Sequence, residues 1–387
     1  MGFEAGRQTA DDSSESLTKR QIKEHTLNAL TRQIQDEIRL RGPISFARFM
    51  ELALYAPGLG YYERQRAIGR GGDFFTNVSV GPLFGQLLAF QFAQWMDADC
   101  PSSGVQFVEA GPHNGTLAAD ILAWTRQRRP DLFARLDYWL LEASPARRAW
   151  QEEKLRSWES KIKWAPDITS VSERPVSGLI FSNEFLDALP VHRLAWSATR
   201  QQWQEGCVTV NGGKFAWEWR PPATELTEHL PQVPADLARV LPDGFKVEIC
   251  PAAIAWWRAA ASSLGRGKLL TMDYGLKAGE QFRPERAQGT LRAYHLHHAG
   301  TDLLSESGEQ DLTAHVNFTA LMEAGCAAGL RTEGLERQSK FLTEILARAR
   351  LTADSLELWD EKKTRQFQTL THPEHLGHKF QVLIQSR

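Results

Sequence analysis

The run Gln106–Leu117 (QFVEAGPHNGTL) constrains this chain more than any other stretch of it. An apolar strand pattern ends in an acid, Glu109, passes through a turn holding Gly111 and Gly115, and enters a helical run. Strand, glycine turn and helix in that order open a β-α-β unit, which implies a parallel sheet with helices on its faces. Glycine accepts backbone angles that other residues avoid, so the chain can turn sharply and lie close to a nucleoside-type cofactor. The run is not a dinucleotide fingerprint. G-x-G-x-x-G would receive a pyrophosphate at the helix N-terminus, and the second glycine position here holds His113.

A second strand pattern, Leu136–Glu142, also ends in an acid and leads through Ala143-Ser144-Pro145 into a helical run. Acids at the tip of the second strand bind ribose hydroxyls in doubly wound sheets, which makes Glu142 the ribose candidate. Either acid alone is equally well an ordinary polar residue ending a buried strand. Two of them on successive strands of one unit favour the functional reading.

Further strand patterns at 162–164, 178–182, 268–272 and 380–384 alternate with helical segments, so the expected fold is α/β with a doubly wound, mostly parallel sheet. Ahead of it, Leu27, Leu30, Ile34 and Ile38, then Phe46, Phe49 and Met50, recur at helical spacing around a break at Gly42-Pro43. Between about 191 and 250 the texture becomes short and β-rich, and Asn211-Gly212-Gly213 reads as a hairpin turn. The expected organisation is a polar tail (1–25), an N-terminal helical part (26–100), and a sheet domain (101–387) carrying the β-rich insertion.

A formal net charge of −2 exerts no global pull toward nucleic acid or an anionic membrane. No apolar run reaches membrane-spanning length. Cys100, Cys207, Cys250 and Cys326 lack C-x-x-C spacing, which argues against a zinc site. With an acidic rather than leader-like first segment, these cysteines give the expectation of a reducing cytoplasm.

Where the fourth strand leaves the sheet stands Ser182–Pro190 (SNEFLDALP). The carboxyl ends of central strands open onto the ligand crevice, which puts Asn183, Glu184 and Asp187 beside the reacting centre. Carboxylates there suit a cationic acceptor, and a guanidinium pairs with them best. The competing reading is a helix start, with Asn183 as cap and acids in the first turn. Asp273, after the 268–272 strand, and Asp311 and His315 in DLTAHVNF carry the same ambiguity.

Together with YAPGLGYY (55–62), GDFFT (72–76), VGPLFG (80–85), EAGPHNGTL (109–117), NEFLDALP (183–190), MDYG (272–275) and DLTAHVNF (311–318), these pieces make the chain resemble the MidA family of S-adenosylmethionine-dependent methyltransferases, which includes an arginine methylator of complex I assembly. The resemblance runs in order from about Gly42 to the end of the sequence. It implies a Rossmann-like class I methyltransferase core binding S-adenosylmethionine through Glu109, Gly111, Gly115 and Glu142. It also implies a covering loop that brings Gly72, Asp73 and Thr76 to the cofactor, and a protein arginine acceptor held by Glu184, Asp187 and Asn183. One departure stands out: His113 replaces the family's middle glycine, so a Cβ and an imidazole should intrude where backbone approaches the cofactor. A small-molecule acceptor, or a binding protein on a decayed methyltransferase fold, are the alternatives this leaves.

Overall fold

Val105–Ala110 (β1) carries apolar side chains on both faces, as a central strand of a parallel sheet must. Phe107 enters one core, with the helices Leu83–Asp99, Thr116–Arg128 and Gln338–Ala349, whereas Val108 enters the other, with Pro251–Ser263 and Phe318–Ala327. This alternation makes the sheet the middle layer of three. The computed structural model describes residues 29–64, 76–100, 104–295, 298–300, 302–352 and 359–387; the expected tail and the loop residues Gly72 and Asp73 lie outside the described residues.

The other strands of the sheet are Leu136–Leu141 (β2), Ile162–Ala165 (β3), Val176–Asn183 (β4), Leu264–Leu276 (β5), Arg331–Arg337 (β6) and Phe380–Ser386 (β7), with the two-residue Val316–Asn317 beside the end of β5. Their order is β3-β2-β1-β4-β5-β7-β6, and only β7 runs antiparallel to its neighbours. This is the Rossmann order with one reversed strand slipped in before the last. The expected doubly wound, mostly parallel sheet is therefore present. β5 runs well past both ends of the 268–272 pattern. β6, which the pattern analysis missed, is a polar edge strand (RTEGLER) whose alternation is too weak to read.

Chain order departs in opposite directions from β1 and β4, so the topological switch point lies between them. Register aligns Ala110 with Ser182 and Asn183 with Met272, which brings the tips of β1, β4 and β5 to one edge.

Residues 192–249 form most of a separate antiparallel sheet: His192–Ser197, Gln202–Asn211, Lys214–Arg220 and Lys246–Ile249. Gly212 and Gly213 sit at φ 56° and 78°, the left-handed pair that a two-residue hairpin turn demands. The N-terminal part docks here. Ile44–Ser45 pairs with Gln202–Asn211, and Phe46 of the following helix packs on Trp217. Ser45 caps that helix by accepting from the Arg48 backbone N–H. The helix Leu83–Asp99, by contrast, belongs to the sheet's core, so packing continues across residue 100. A small third sheet sets Arg292–His295 between His298–Gly300 and Asp311–Thr313. Among the described residues no helix is long and apolar enough to cross a membrane.

Candidate active site

The turn after β1 needs its glycines for two reasons. Gly111 and Gly115 have φ of 68° and 80°, and a Cβ at either would come within 2.7 Å of Phe185 or Leu155 respectively. Phe185 belongs to the turn after β4, so the two motifs singled out in the sequence rest directly on each other. Asn114 Oδ1 accepts from the Thr116 backbone N–H and hydroxyl at the head of the helix. His113 follows the same left-handed course, with φ 45°, at a cost of about 1–2 kcal/mol. Its carbonyl accepts from Gln151 Nε2 at 2.8 Å, and its exposed ring stands in the cavity wall. A histidine thus keeps the glycine-like turn, and its ring lines the cavity, where the sequence expected it to intrude.

Glu109 is 3% exposed, lines the cavity and accepts from the Tyr138 hydroxyl at 2.6 Å. Burial pushes its pKa up to about 7, against the opposing pull of that hydrogen bond. Glu142 ends β2 as expected, but its carboxylate is sealed. It pairs with Arg147 at 2.9 Å and accepts from the Ser144 N–H and Gln151 Nε2. Burial raises its pKa, although Arg147 and these donors act the other way. Ser144 Oγ in turn donates to Glu63, so the N-terminal part closes over this corner. Glu142 is not in the cavity wall.

No helix starts at Asn183. The segment after β4 is an irregular turn, which removes the capping alternative. Glu184 takes φ 51°, a strained value of the kind that collects at functional sites. Asp273, fully buried, holds this turn by accepting from the backbone N–H groups of Phe185, Leu186 and Tyr274 at 3.2, 2.8 and 2.8 Å. Glu184 Oε1 accepts from the Asn77 N–H at 2.8 Å and from Asn183 Nδ2 at 3.1 Å. Asn77 also donates its side-chain amide to Asn183, and Gln338 donates to Asn77. Burial carries the Glu184 pKa up to about 8 despite these donors. Asp187 is driven upward by burial and then by the charges of Asp273, Asp311 and Glu184.

Asp311, 3% exposed, sits in a short strand and not at a helix cap, and accepts from the Tyr62 hydroxyl at 2.8 Å. The cap of the following helix is Asn317. Thr76 is at the cavity wall, where it exchanges hydrogen bonds with Ser79. His315 lines the outer part of the same cavity. The fold therefore brings together Glu109, Gly111, Asn183, Glu184, Asp187 and Thr76, with Gly115 behind the turn, and leaves Glu142 outside the cavity wall. Sequence reasoning missed Asn77, Tyr62 and Tyr294, and YAPGLGYY was the one signal that pointed toward Tyr62.

The cavity measures about 1430 Å³, more than the roughly 300–1,000 Å³ of a pocket for one small ligand. It has room for a cofactor and part of an acceptor. The sequence pattern of the S-adenosyl-L-methionine-dependent methyltransferase family matches residues 87–336, from the helix before β1 into β6. The chain belongs to this family. This methyltransferase is 30% identical to the mitochondrial protein arginine methyltransferase NDUFAF7 of Mus musculus, over 91% of its own length and 83% of the relative's. Danio rerio NDUFAF7 is 29% identical over 79% and 74%. A crystal structure from Burkholderia thailandensis, bound to S-adenosyl-homocysteine, superposes with a TM-score of 0.78 at 32% identity, covering 94% of the methyltransferase and 93% of that chain.

S-adenosylmethionine is thus the cofactor, and the lining fits its chemistry. The buried Glu109 carboxyl and the left-handed Gly111 line the cavity, and Gly115 and Glu142 stand outside its wall. The cytoplasmic expectation is overturned, because the curated relatives are mitochondrial by name. Cysteine spacing reports redox chemistry and could not have settled the compartment.

Proposed function

We propose that the enzyme methylates a guanidinium nitrogen of arginine in a protein substrate. The observation that carries this reading is the convergence of Glu184, Asp187 and Asp311 in one cavity beside the glycine turn. Buried carboxylates that repel one another gain most from a cation placed among them, and a guanidinium offers planar paired donors to two of them at once. The naming of the relatives as protein arginine methyltransferases supports the same acceptor.

Bound S-adenosylmethionine supplies a methyl group on a positively charged sulfur. Glu109, Gly111 and Gly115 hold the cofactor, Thr76 borders it, and Glu142 takes its ribose once released by Arg147. Glu184 and Asp187 orient the guanidinium so that one nitrogen lies in line with the methyl carbon, and alignment is most of what such a displacement requires. As the nitrogen–carbon bond forms, the carbon–sulfur bond breaks with its electron pair left on sulfur, and the nitrogen gives up a proton. Glu184, whose pKa burial lifts to about 8, is suited to accept that proton. Asn183 fixes the rotamer of Glu184.

Labelled methyl transfer to protein extracts, followed by acid hydrolysis and amino-acid analysis, tests the acceptor. Label is expected in methylarginine. Label confined to lysine, to carboxyl groups or to a small molecule overturns the assignment. A second expectation concerns the cofactor. Glu109 must ionise to face a cation, so affinity should climb about tenfold from pH 6 to pH 8 and level off above, given one proton released around pH 7. Calorimetry at three pH values measures this, and a flat profile removes Glu109 from the cofactor's charged end.

A further inference from the structure

The cavity changes sign between floor and rim. Of its lining residues, Glu109, Asp187 and Asp311 are buried and Glu184 half-buried, which makes them the floor, whereas Lys277, Arg283 and Arg292 are exposed and Arg286 half-buried, which puts them at the mouth with Glu280 as the carboxylate among them. Glu280 pairs with Arg283 at 3.5 Å. Among the described residues Lys277, Arg286 and Arg292 make no ion pair; Arg286 and Arg292 donate only to backbone carbonyls. Among the described residues, three cations at the entrance of an acidic pocket are thus left without a carboxylate partner.

The small third sheet fixes the distance between the two zones. Tyr294 faces Asp311 across it and Arg292 faces Thr313, and all four line the cavity. Residues two apart on a strand share a face and stand about 7 Å apart, so the wall runs from the acidic floor to the cationic rim in one step along the strand. That step is close to the reach of an extended arginine side chain. A guanidinium held at Glu184 and Asp187, with Asp311 beside them, would leave the peptide backbone at the height of Arg292, and the residues on either side of the arginine against Arg283, Arg286 and Lys277.

We propose that this rim selects protein segments in which the target arginine is flanked by aspartate or glutamate within about three residues. The inference rests on the arginine reading above and adds the charge of the surrounding substrate. Basic flanks would meet three like charges, and an acceptor rich only in arginine would be turned away at the mouth. Rim charges of this kind act mainly on encounter and on discrimination between partners, and they weaken with salt.

The test uses three probes with the whole enzyme: a peptide with one arginine among acidic residues, the same peptide with lysines in their place, and a single-stranded RNA of equal charge to the first. Peptide and RNA binding is followed by fluorescence anisotropy with S-adenosyl-homocysteine present, and transfer by labelled methyl. The acidic peptide is expected to bind and to show a KM at least tenfold lower than the lysine peptide at low salt, with kcat within a few fold. In an Arg283→Glu/Arg286→Glu variant the preference should reverse, while calorimetric affinity for S-adenosyl-homocysteine, unchanged, certifies the fold. Equal KM for both peptides overturns the proposal and leaves arginine methylation standing. Binding of the acidic peptide without methyl on arginine keeps the surface and removes the arginine reading. No peptide binding, or RNA bound more tightly than either peptide, overturns the proposal.

Discussion

Glu184→Gln is expected to lower the rate of methyl transfer by roughly ten- to a thousand-fold while leaving cofactor affinity within a few fold. The exchange keeps the size of the side chain and an oxygen for the Asn77 and Asn183 donors, so the turn should hold. On the proposed mechanism, what disappears is the negative charge that pairs with the guanidinium and the group that accepts its proton. A loss of about 1.4–4 kcal/mol of transition-state stabilisation corresponds to that range of rates. The parent adds a second signature. Burial lifts its Glu184 pKa to about 8, so kcat/KM should rise with pH and flatten above about 8, and the variant should lose that limb. Single-turnover rates from pH 6 to 9.5 decide the matter, and a variant with parental rate and profile takes Glu184 out of the mechanism.

The largest stability effect should come from Asp273→Ala. Its carboxylate is fully buried and serves three backbone N–H groups around the strained Glu184 turn. Each buried donor left without a partner costs about 1–3 kcal/mol. Because the turn can relax, and because Asp187 loses a repelling neighbour, we expect about 3–5 kcal/mol in all, measured by urea unfolding. Asp273→Asn keeps one acceptor oxygen and should fall between. Burial raises the Asp273 pKa from 3.8 to about 7, so its contribution to stability is fully present below pH 3.8 and is lost as pH rises through 7. The parent's stability should therefore decline across that window more steeply than the alanine variant's, and parallel curves would mean that Asp273 does not titrate as its surroundings demand.

Strand-end acids were legible because burial and topology act through short sequence: Glu109 and Glu142 each close an apolar run, and the glycines between strand and helix announce the turn. Contacts that depend on distant chain were not. Nothing near Glu142 says that Glu63 will lie against Ser144, and Asn77 stands 107 residues from the carboxylate it serves. Asp273 illustrates a different limit. An acid after a central strand looks the same in sequence whether it points at a ligand or, as here, at the backbone of a neighbouring turn. β6 escaped notice because an edge strand with one wet face and a glycine in the middle has little alternation to read. What the sequence did not show of His113 is that a residue other than glycine follows the left-handed turn here, with its carbonyl accepting from Gln151.

The amide cluster around Asn77 has a consequence for how the protein is made. Glu184 leans on Asn77, Asn77 accepts from Gln338, and Gln338 also donates to the carbonyl of Leu370, across sequence separations of 107, 261 and 32 residues. A ribosome has delivered β1, β2 and β4 long before it delivers the helix that carries Gln338. Domains tend to fold as the chain emerges, and contacts this remote in sequence are slow to close. The Glu184 carboxylate therefore acquires its final surroundings late in synthesis, and a nascent chain holding the whole glycine turn and the NEFLD segment would still lack them. Chains halted before Gln338 should be methyl-transfer silent.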